Sequence, residues 1–411
     1  MLENKWLRAA VPALLLHISI GSVYCWSTFK ATIADQIQMN SFSVGWAFSL
    51  AIFFLGMSAA FMGKLVEKNI HKSSLISCVC FTAGMIGTGL SIQFLKGVPA
   101  LIAIFICYGC IMGIGLGVGY LTPVKTLMLW FKDKKGLATG ISIMGFGLAK
   151  AIATPIMESI QTNLGIAPMF YILGGVYFVM MFVGHLLLKK PDGWVEEEVQ
   201  DFSVKSMFKD KTFLGIWLMF FLNIHCGLML ISYEKQILQT VFAGAAILAI
   251  IISVIPSVSS AFNALGRIGY SSLSDKLRQR NTVYKIIFIS CIAISIISFL
   301  SGQAILGVIM IILLFIINAG YGGGFSTLPA LLSERFGMKK ISKIHGLALS
   351  AWAIAGITGN NMSELILNAT GSNITGYKYI ILSIAVLYAI ALIICIILVG
   401  RKKEDSEPPC L

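Results

Sequence analysis

Apolar runs of about 20 residues, the length that crosses a bilayer as a helix, recur along almost the whole chain. Short charged or Gly-, Asn- and Pro-containing breaks separate them. Twelve are readable, at 7–29, 44–63, 74–95, 99–128, 136–160, 168–188, 212–233, 243–272, 283–301, 304–332, 344–366 and 377–400. The pattern predicts an all-α integral membrane protein with twelve transmembrane helices. The runs at 99–128 and 304–332 exceed what a bilayer needs and predict tilted or bent helices, with Pro123 and Pro329 near their ends.

Basic residues alternate in density from one set of span ends to the other. One set carries Lys5 and Arg8, then Lys64, Lys68 and Lys72, then Lys132, Lys134 and Lys135. The later clusters at 189–211, 276–285, 335–343 and 401–403 fall on the same side. The other set carries only Lys30, Lys96, Lys235 and Lys378. By the positive-inside rule both termini are predicted to be cytoplasmic, and the localisation expected is a bacterial inner (plasma) membrane. Lys125, Lys150 and Arg267 remain within spans.

The longest hydrophilic stretch, 189–211, holds the acidic run Glu196–Glu198 and splits six spans from six. The predicted organisation is a six-helix bundle over 1–188, a cytoplasmic central loop over 189–211, a second bundle over 212–400 and a cytoplasmic tail over 401–411. At one nearly constant offset the halves match at Gly21/Gly227, Gly63/Gly269, Gly117/Gly323, Pro123/Pro329, Gly140/Gly346, Phe146/Trp352 and Ala149/Ala355. Two repeats related by an axis along the membrane normal suit a secondary transporter, whose substrate site lies at mid-membrane between them.

Composition narrows the alternatives. Of 411 residues, 57% are hydrophobic and 12% charged, with mean hydropathy +0.87; soluble proteins have about 25% charged residues. The net charge of +13 is dispersed between apolar runs, so no continuous basic face for nucleic acid is expected. The nine cysteines sit mostly in apolar runs, as small hydrophobes do. Cys107 and Cys110 form a CxxC without a second Cys/His pair, so neither a metal site nor a cofactor is expected. The first apolar run is too long for a cleavable signal. No GxxxxGK[ST] occurs, so the energy source should be a gradient rather than ATP.

Arg267 carries the most chemical information. It sits eight residues, about 12 Å of helix, from Asp275 at the cytoplasmic end, and an arginine at mid-membrane costs on the order of 3 kcal/mol. Its planar fork suits a carboxylate; the competing explanation is snorkelling to the interface. Lys150 lies near the centre of its span, one turn from Phe146, either facing the substrate path or paired with Glu158. Lys125 is close enough to the boundary to snorkel. His17 and His225 are proton-coupling candidates, or else neutral imidazoles bonded between helices. Tyr24, Tyr120, Tyr321 and Trp352 are the aromatics expected to line a cavity, against packing as the plain alternative. The glycines of spans 4 and 10 (Gly113, Gly115, Gly117, Gly119; Gly320, Gly322 to Gly324) let backbones approach.

The stretch from Gly119 to Gly140, together with Trp217 to Asn223, Asn263 to Asp275, Asn318 to Pro329 and Gly346 to Trp352, resembles the major facilitator superfamily, and within it the oxalate/formate antiporter-like group related to monocarboxylate porters. Gly63-Lys-Leu-Val-Glu67-Lys and Ser271-Ser-Leu-Ser-Asp275-Lys-Leu-Arg resemble that superfamily's cytoplasmic loop signature, with Glu67 replacing the usual Asp. The resemblance implies alternating-access transport of a small mono- or dicarboxylate, as antiporter or symporter, with Arg267 matching the span-8 arginine that binds it. The second cation that oxalate transport uses in span 11 is replaced here by Ser350-Ala-Trp352-Ala, so a dianion would need Lys150. The acid that animal monocarboxylate porters carry one turn before the arginine is Asn263, which removes that proton relay. Membrane lipid and one small anion are the expected partners, with a monomer as the working unit. The rival readings are a pump exporting other small or hydrophobic solutes, for which no mid-span acid is evident, and a non-transporting membrane sensor.

Overall fold

In a computed structural model, residues 4–193, 203–338 and 341–400 are described. Glu196–Glu198, Lys339, Lys340, the tail over 401–411 and the side chain of Glu67 lie outside the described residues. Those described are helical and include no strand. Among the described residues, twelve helices are long and apolar enough to cross a membrane: α1 (Trp6–Ile37), α2 (Ser41–Val66), α3 (Ile70–Phe94), α4 (Gly97–Trp130), α5 (Lys135–Leu164) and α6 (Ile166–Leu187) in the first half. In the second half they are α7 (Lys211–Ile231), α8 (Ile250–Lys276), α9 (Asn281–Leu300), α10 (Gln303–Phe336), α11 (Ile341–Thr370) and α12 (Ile374–Val399).

Two boundaries depart from the hydropathy pattern. The run expected at 243–272 starts late, because residues 242–247 are largely turn and Gly244 takes φ +80°. Apolarity alone does not make a helix there, and the left-handed glycine interrupts it. Just before it stands a short helix, Glu234–Val241, whose first residue is buried. Helix α1 continues to Ile37, past Lys30, because Lys30 lines an internal cavity instead of meeting lipid.

Packing repeats between the halves. In the first, α1 lies on α5, α2 on α4 and α3 on α6; in the second, α7 lies on α11, α8 on α10 and α9 on α12. The halves meet chiefly through α2 with α11 and α5 with α8, which are equivalent pairings under the sequence repeat. Repeat-related glycines make both seams. A Cβ on Gly140 of α5 would strike Ser271 of α8, and a Cβ on Gly346 of α11 would strike the backbone oxygen of Ala59 in α2. Large apolar side chains such as Phe61, Leu265, Leu300 and Ile397 are exposed on the outside, as a lipid-facing surface requires.

The described ends of the chain lie on one face, where Lys189 N donates to Arg8 O and Asn281 Nδ2 to Gly400 O. We call this the terminal face. There the halves are tied together by Asp275 of α8, whose carboxylate accepts from Gly136 N (3.0 Å) and Leu137 N (2.8 Å) at the start of α5. An acidic group at a helix N-terminus satisfies orphan donors and the helix dipole together. Arg280 holds Asp275 from the other side at 2.7 Å and reaches Glu334 at 3.7 Å. Thr139 of α5 adds a bond of 2.7 Å to Ser326 O of α10.

Asp275→Ala should loosen this seam. Spin labels at Lys134→Cys and Arg278→Cys, on a cysteine-free background, should show a longer and broader distance distribution in the variant. An unchanged distribution would mean the carboxylate does not hold the face shut.

Candidate functional site

From the face opposite the termini, three adjoining cavities enter the seam between the halves, all lined by Lys150 and Ile231. The outermost, about 240 Å³, is bounded by Ser27, Thr154, Glu158, Glu234, Lys235 and Ser257, among others. A side cavity of about 70 Å³ runs under Tyr24, Lys30, Phe48 and Asn360. The deepest, about 20 Å³, is bounded by Tyr24, Gly147, Glu234, Ser260, Asn263, Asn318 and Tyr321. It has room for about one water.

Arg267 stands directly behind the floor of that deepest cavity. It is fully buried. Its Nε donates to Asn263 Oδ1 at 2.8 Å, one turn back on α8. Asn263 Nδ2 in turn reaches Asn318 Oδ1 (3.4 Å), and Asn318 Nδ2 donates to Ser259 Oγ (2.6 Å). This chain fixes the root of the guanidinium. Nη1 and Nη2 make no hydrogen bond of good geometry, although the Tyr24 and Tyr120 hydroxyls stand beside the guanidinium. The group lies over two rings, 5.6 Å from the Phe146 centroid in α5 and 5.3 Å from Phe325 in α10. Such cation–π contacts stabilise a desolvated guanidinium by up to about 2 kcal/mol but supply no hydrogen-bond acceptor.

An aromatic cage closes around that pair of rings. Phe146 packs on Tyr24 (5.2 Å), Tyr120 (5.7 Å) and Trp352 (5.7 Å), and Phe325 packs on Trp352 (4.4 Å) and Tyr321 (5.1 Å). The Tyr24 and Tyr321 hydroxyls bond each other across the halves at 2.7 Å. Tyr120 OH and Trp352 Nε1 are likewise buried without a hydrogen bond of good geometry. Each buried donor left unmade costs about 1–3 kcal/mol. A cage that gathers these polar groups around a positive charge, with no acidic side chain in it, can receive an oxyanion.

Lys150 lines all three cavities, and the carboxylate paired with it is Glu234 rather than Glu158. Its Nζ meets Glu234 Oε2 at 3.5 Å, across the seam from α5 to the short helix after α7. Glu234 Oε1 has no partner. Burial pushes the Glu234 carboxyl above its ordinary value, while the Lys150 ammonium pulls the other way. Glu158 is exposed and lines the outer cavity with Lys235.

The two histidines are held by neighbours. His17 lies between α4 and α5, with Nε2 3.2 Å from Tyr120 O and Nδ1 3.3 Å from Ser142 Oγ and close to Ser142 O. Both ring nitrogens thus face a backbone carbonyl, which can only accept, and a neutral ring donates to one of the two. His225 shares a 2.9 Å bond with Thr358 of α11 beside the Phe221 ring. Lys125, expected to snorkel, is instead buried within the protein and engaged. Among the described residues no three His, Cys, Asp or Glu side chains gather as metal ligands.

With this geometry in view, comparison with known proteins is decisive at the level of family. Residues 13–360 match the Major Facilitator Superfamily. The chain belongs to that superfamily. It is 24% identical to the oxalate:formate antiporter of Oxalobacter formigenes over 379 residues, covering 91% of this chain and 87% of that one. It is likewise 24% identical to YhjX, an uncharacterized MFS-type transporter of Escherichia coli (strain K12), over 86% of each. It is 21% identical to apicoplast pyruvate carrier 1 of Toxoplasma gondii, over 87% of this chain and 83% of the carrier. Among solved structures it resembles a bacterial homologue of the iron transporter ferroportin, with TM-score 0.76 at 12% identity over 96% of this chain and all of that one. The proton:xylose symporter XylE aligns with TM-score 0.73 at 14% identity over 95% of each. The fold is therefore that of a superfamily transporter, and this is a multi-pass membrane protein.

Sequence reasoning missed Glu234, Phe325 and Asn318. Glu234 follows the apolar run 212–233 directly and reads there as the end of a span. The available signal was an acidic residue placed where helices enter the seam, opposite a mid-span lysine. Phe325 lay within the quoted glycine stretch of span 10, where it is hidden by its neighbours.

Gly147 keeps α5 and α8 close enough for the site to form, since an added Cβ would sit 2.9 Å from Asn263 Oδ1 and 3.0 Å from Arg267 Nε. Gly147→Ala should therefore lower the thermal unfolding midpoint in detergent by an amount equivalent to about 1–3 kcal/mol. Gly175→Ala, where nothing lies within 4 Å, should not lower it. Equal midpoints in the two variants would remove the close-approach argument.

Proposed function

We propose that this superfamily transporter carries small organic carboxylates by alternating access, as an antiporter or symporter in a bacterial inner membrane. The terminal face is assigned to the cytoplasm, because basic residues concentrate there. The cavities then open to the outside while the Asp275 seam closes the inside. The pathway lies within a single chain, so the working unit is a monomer.

One observation carries the substrate assignment. Arg267 is buried without an acidic partner: its bond of good geometry goes to a neutral amide, and the groups beside its outer edge are the neutral Tyr24 and Tyr120 hydroxyls. An arginine kept for structure is matched by a carboxylate or by carbonyl oxygens, because leaving it bare costs several kcal/mol. A visiting carboxylate would take both Nη donors as a fork, and charge-assisted bonds of that kind are about twice as strong as neutral ones. The Tyr24–Tyr321 bond lies on the route between the deepest cavity and the cage, so it must part for the anion to arrive. The similarity to an oxalate:formate antiporter and to a pyruvate carrier supports the same class.

Arg267→Ala should abolish counterflow of labelled formate or lactate in proteoliposomes and weaken their binding by at least about a hundredfold, which corresponds to about 3 kcal/mol. Arg267→Lys, which keeps charge but loses the fork, should fall between the two. Normal counterflow by a correctly inserted Arg267→Ala variant would sink the assignment.

A further inference from the structure

Along the pathway, cationic side chains have a carboxylate in the same cavity or within its electrostatic reach, with a single exception. At the outer mouth, Lys235 and Glu158 line the same exposed cavity. In the side cavity Lys30 faces the field of Glu364, which also accepts a short hydrogen bond from Tyr233. At the entrance to the deepest cavity, Lys150 lies 3.5 Å from Glu234, with side chains 13% and 4% exposed. Arg267 alone, among the described residues of the pathway, has no acidic companion.

From this pairing we propose that Glu234 sets the charge that the site will accept: by neutralising Lys150 it leaves Arg267 as the one unbalanced cation, and so selects solutes with one carboxylate over those with two. The inference rests on Arg267 being the anion site.

Position makes Glu234 fit for this role. Gly147, which touches Asn263 and Arg267, precedes Lys150 by one turn of α5, about 4.5 Å of rise. Lys150 therefore stands just outward of the arginine, where the second carboxylate of a dianion would lie. Without Glu234 the two cations would form a doubly positive slot from opposite halves. With Glu234 in place, a second carboxylate meets a carboxylate across a desolvated gap, and like charges there repel strongly. A monoanion leaves that outer region uncharged. Ser259 and Asn318, behind Glu234, are neutral and cannot substitute for its charge. The pair also bridges the halves, so its geometry is set only when α5 and the segment after α7 are close.

The experiment compares lactate with malonate, which have one and two carboxylates, by counterflow and by thermal shift on the full-length protein. Wild type should prefer lactate. Glu234→Gln should raise the malonate-to-lactate ratio by at least about tenfold. The doubly neutral Lys150→Met/Glu234→Gln protein restores the wild-type charge and should return to the lactate preference, and it also guards against misfolding of the single variant. A ratio unmoved by Glu234→Gln, or a wild type that prefers malonate, would overturn the inference. Arg267→Ala separates the two levels. If lactate transport depends on Arg267 while the ratio ignores Glu234, only the charge-setting role fails; if lactate and malonate are indifferent to Arg267, both fall.

Discussion

A guanidinium buried in the seam between two helical bundles, held through Nε and faced by no acidic side chain, is the constraint around which this molecule is arranged. Nothing else in the pathway carries so large an unmet electrostatic demand. Arg267 reaches the seam because Gly147 and Gly322 offer no Cβ to block it. It remains there because Phe146 and Phe325 supply polarisable faces without supplying acceptors. Asn263, Asn318 and Ser259 hold its near edge in register. The surrounding structure thus stabilises the charge in part and orients it, while placing no acid against it.

The scaffold is symmetric and the site is not. Gly140 and Gly346 make equivalent close approaches at the α5–α8 and α2–α11 seams, so the halves can rock against one another through similar surfaces. The repeat mates Phe146 and Trp352 sit side by side in one aromatic cage. Yet the mate of Arg267 is Phe61, which points outward to lipid. The buried charge is thus carried on one half alone, against an aromatic wall to which both halves contribute.

Closure at the terminal face uses different physics. Asp275 caps the first turn of α5 through two backbone amides and is itself gripped by Arg280. These bonds cross between bundles and involve groups that water can satisfy when the seam parts, so opening there carries a modest cost. The cage around Arg267 is closed instead by ring contacts, which water does not replace.

The twelve spans, the twofold repeat and the placement of Arg267 as a charge inside an apolar run were all legible in the order of residues. Bilayer thickness fixes helix length, and a charged side chain in an apolar run is costly wherever it points. Lys150 was recognisable for the same reason. Its partner was not, because Glu234 reads as the polar end of a span and lies far from Lys150 along the chain. The same holds for Phe325, for the neighbours that hold His17 and for the burial of Lys125. Hydropathy records how much a segment prefers lipid, but it does not record which faces of separate helices meet. Only tertiary packing decided that one lysine is neutralised while one arginine is left without an acid, since that depends on contacts between residues brought together across the seam.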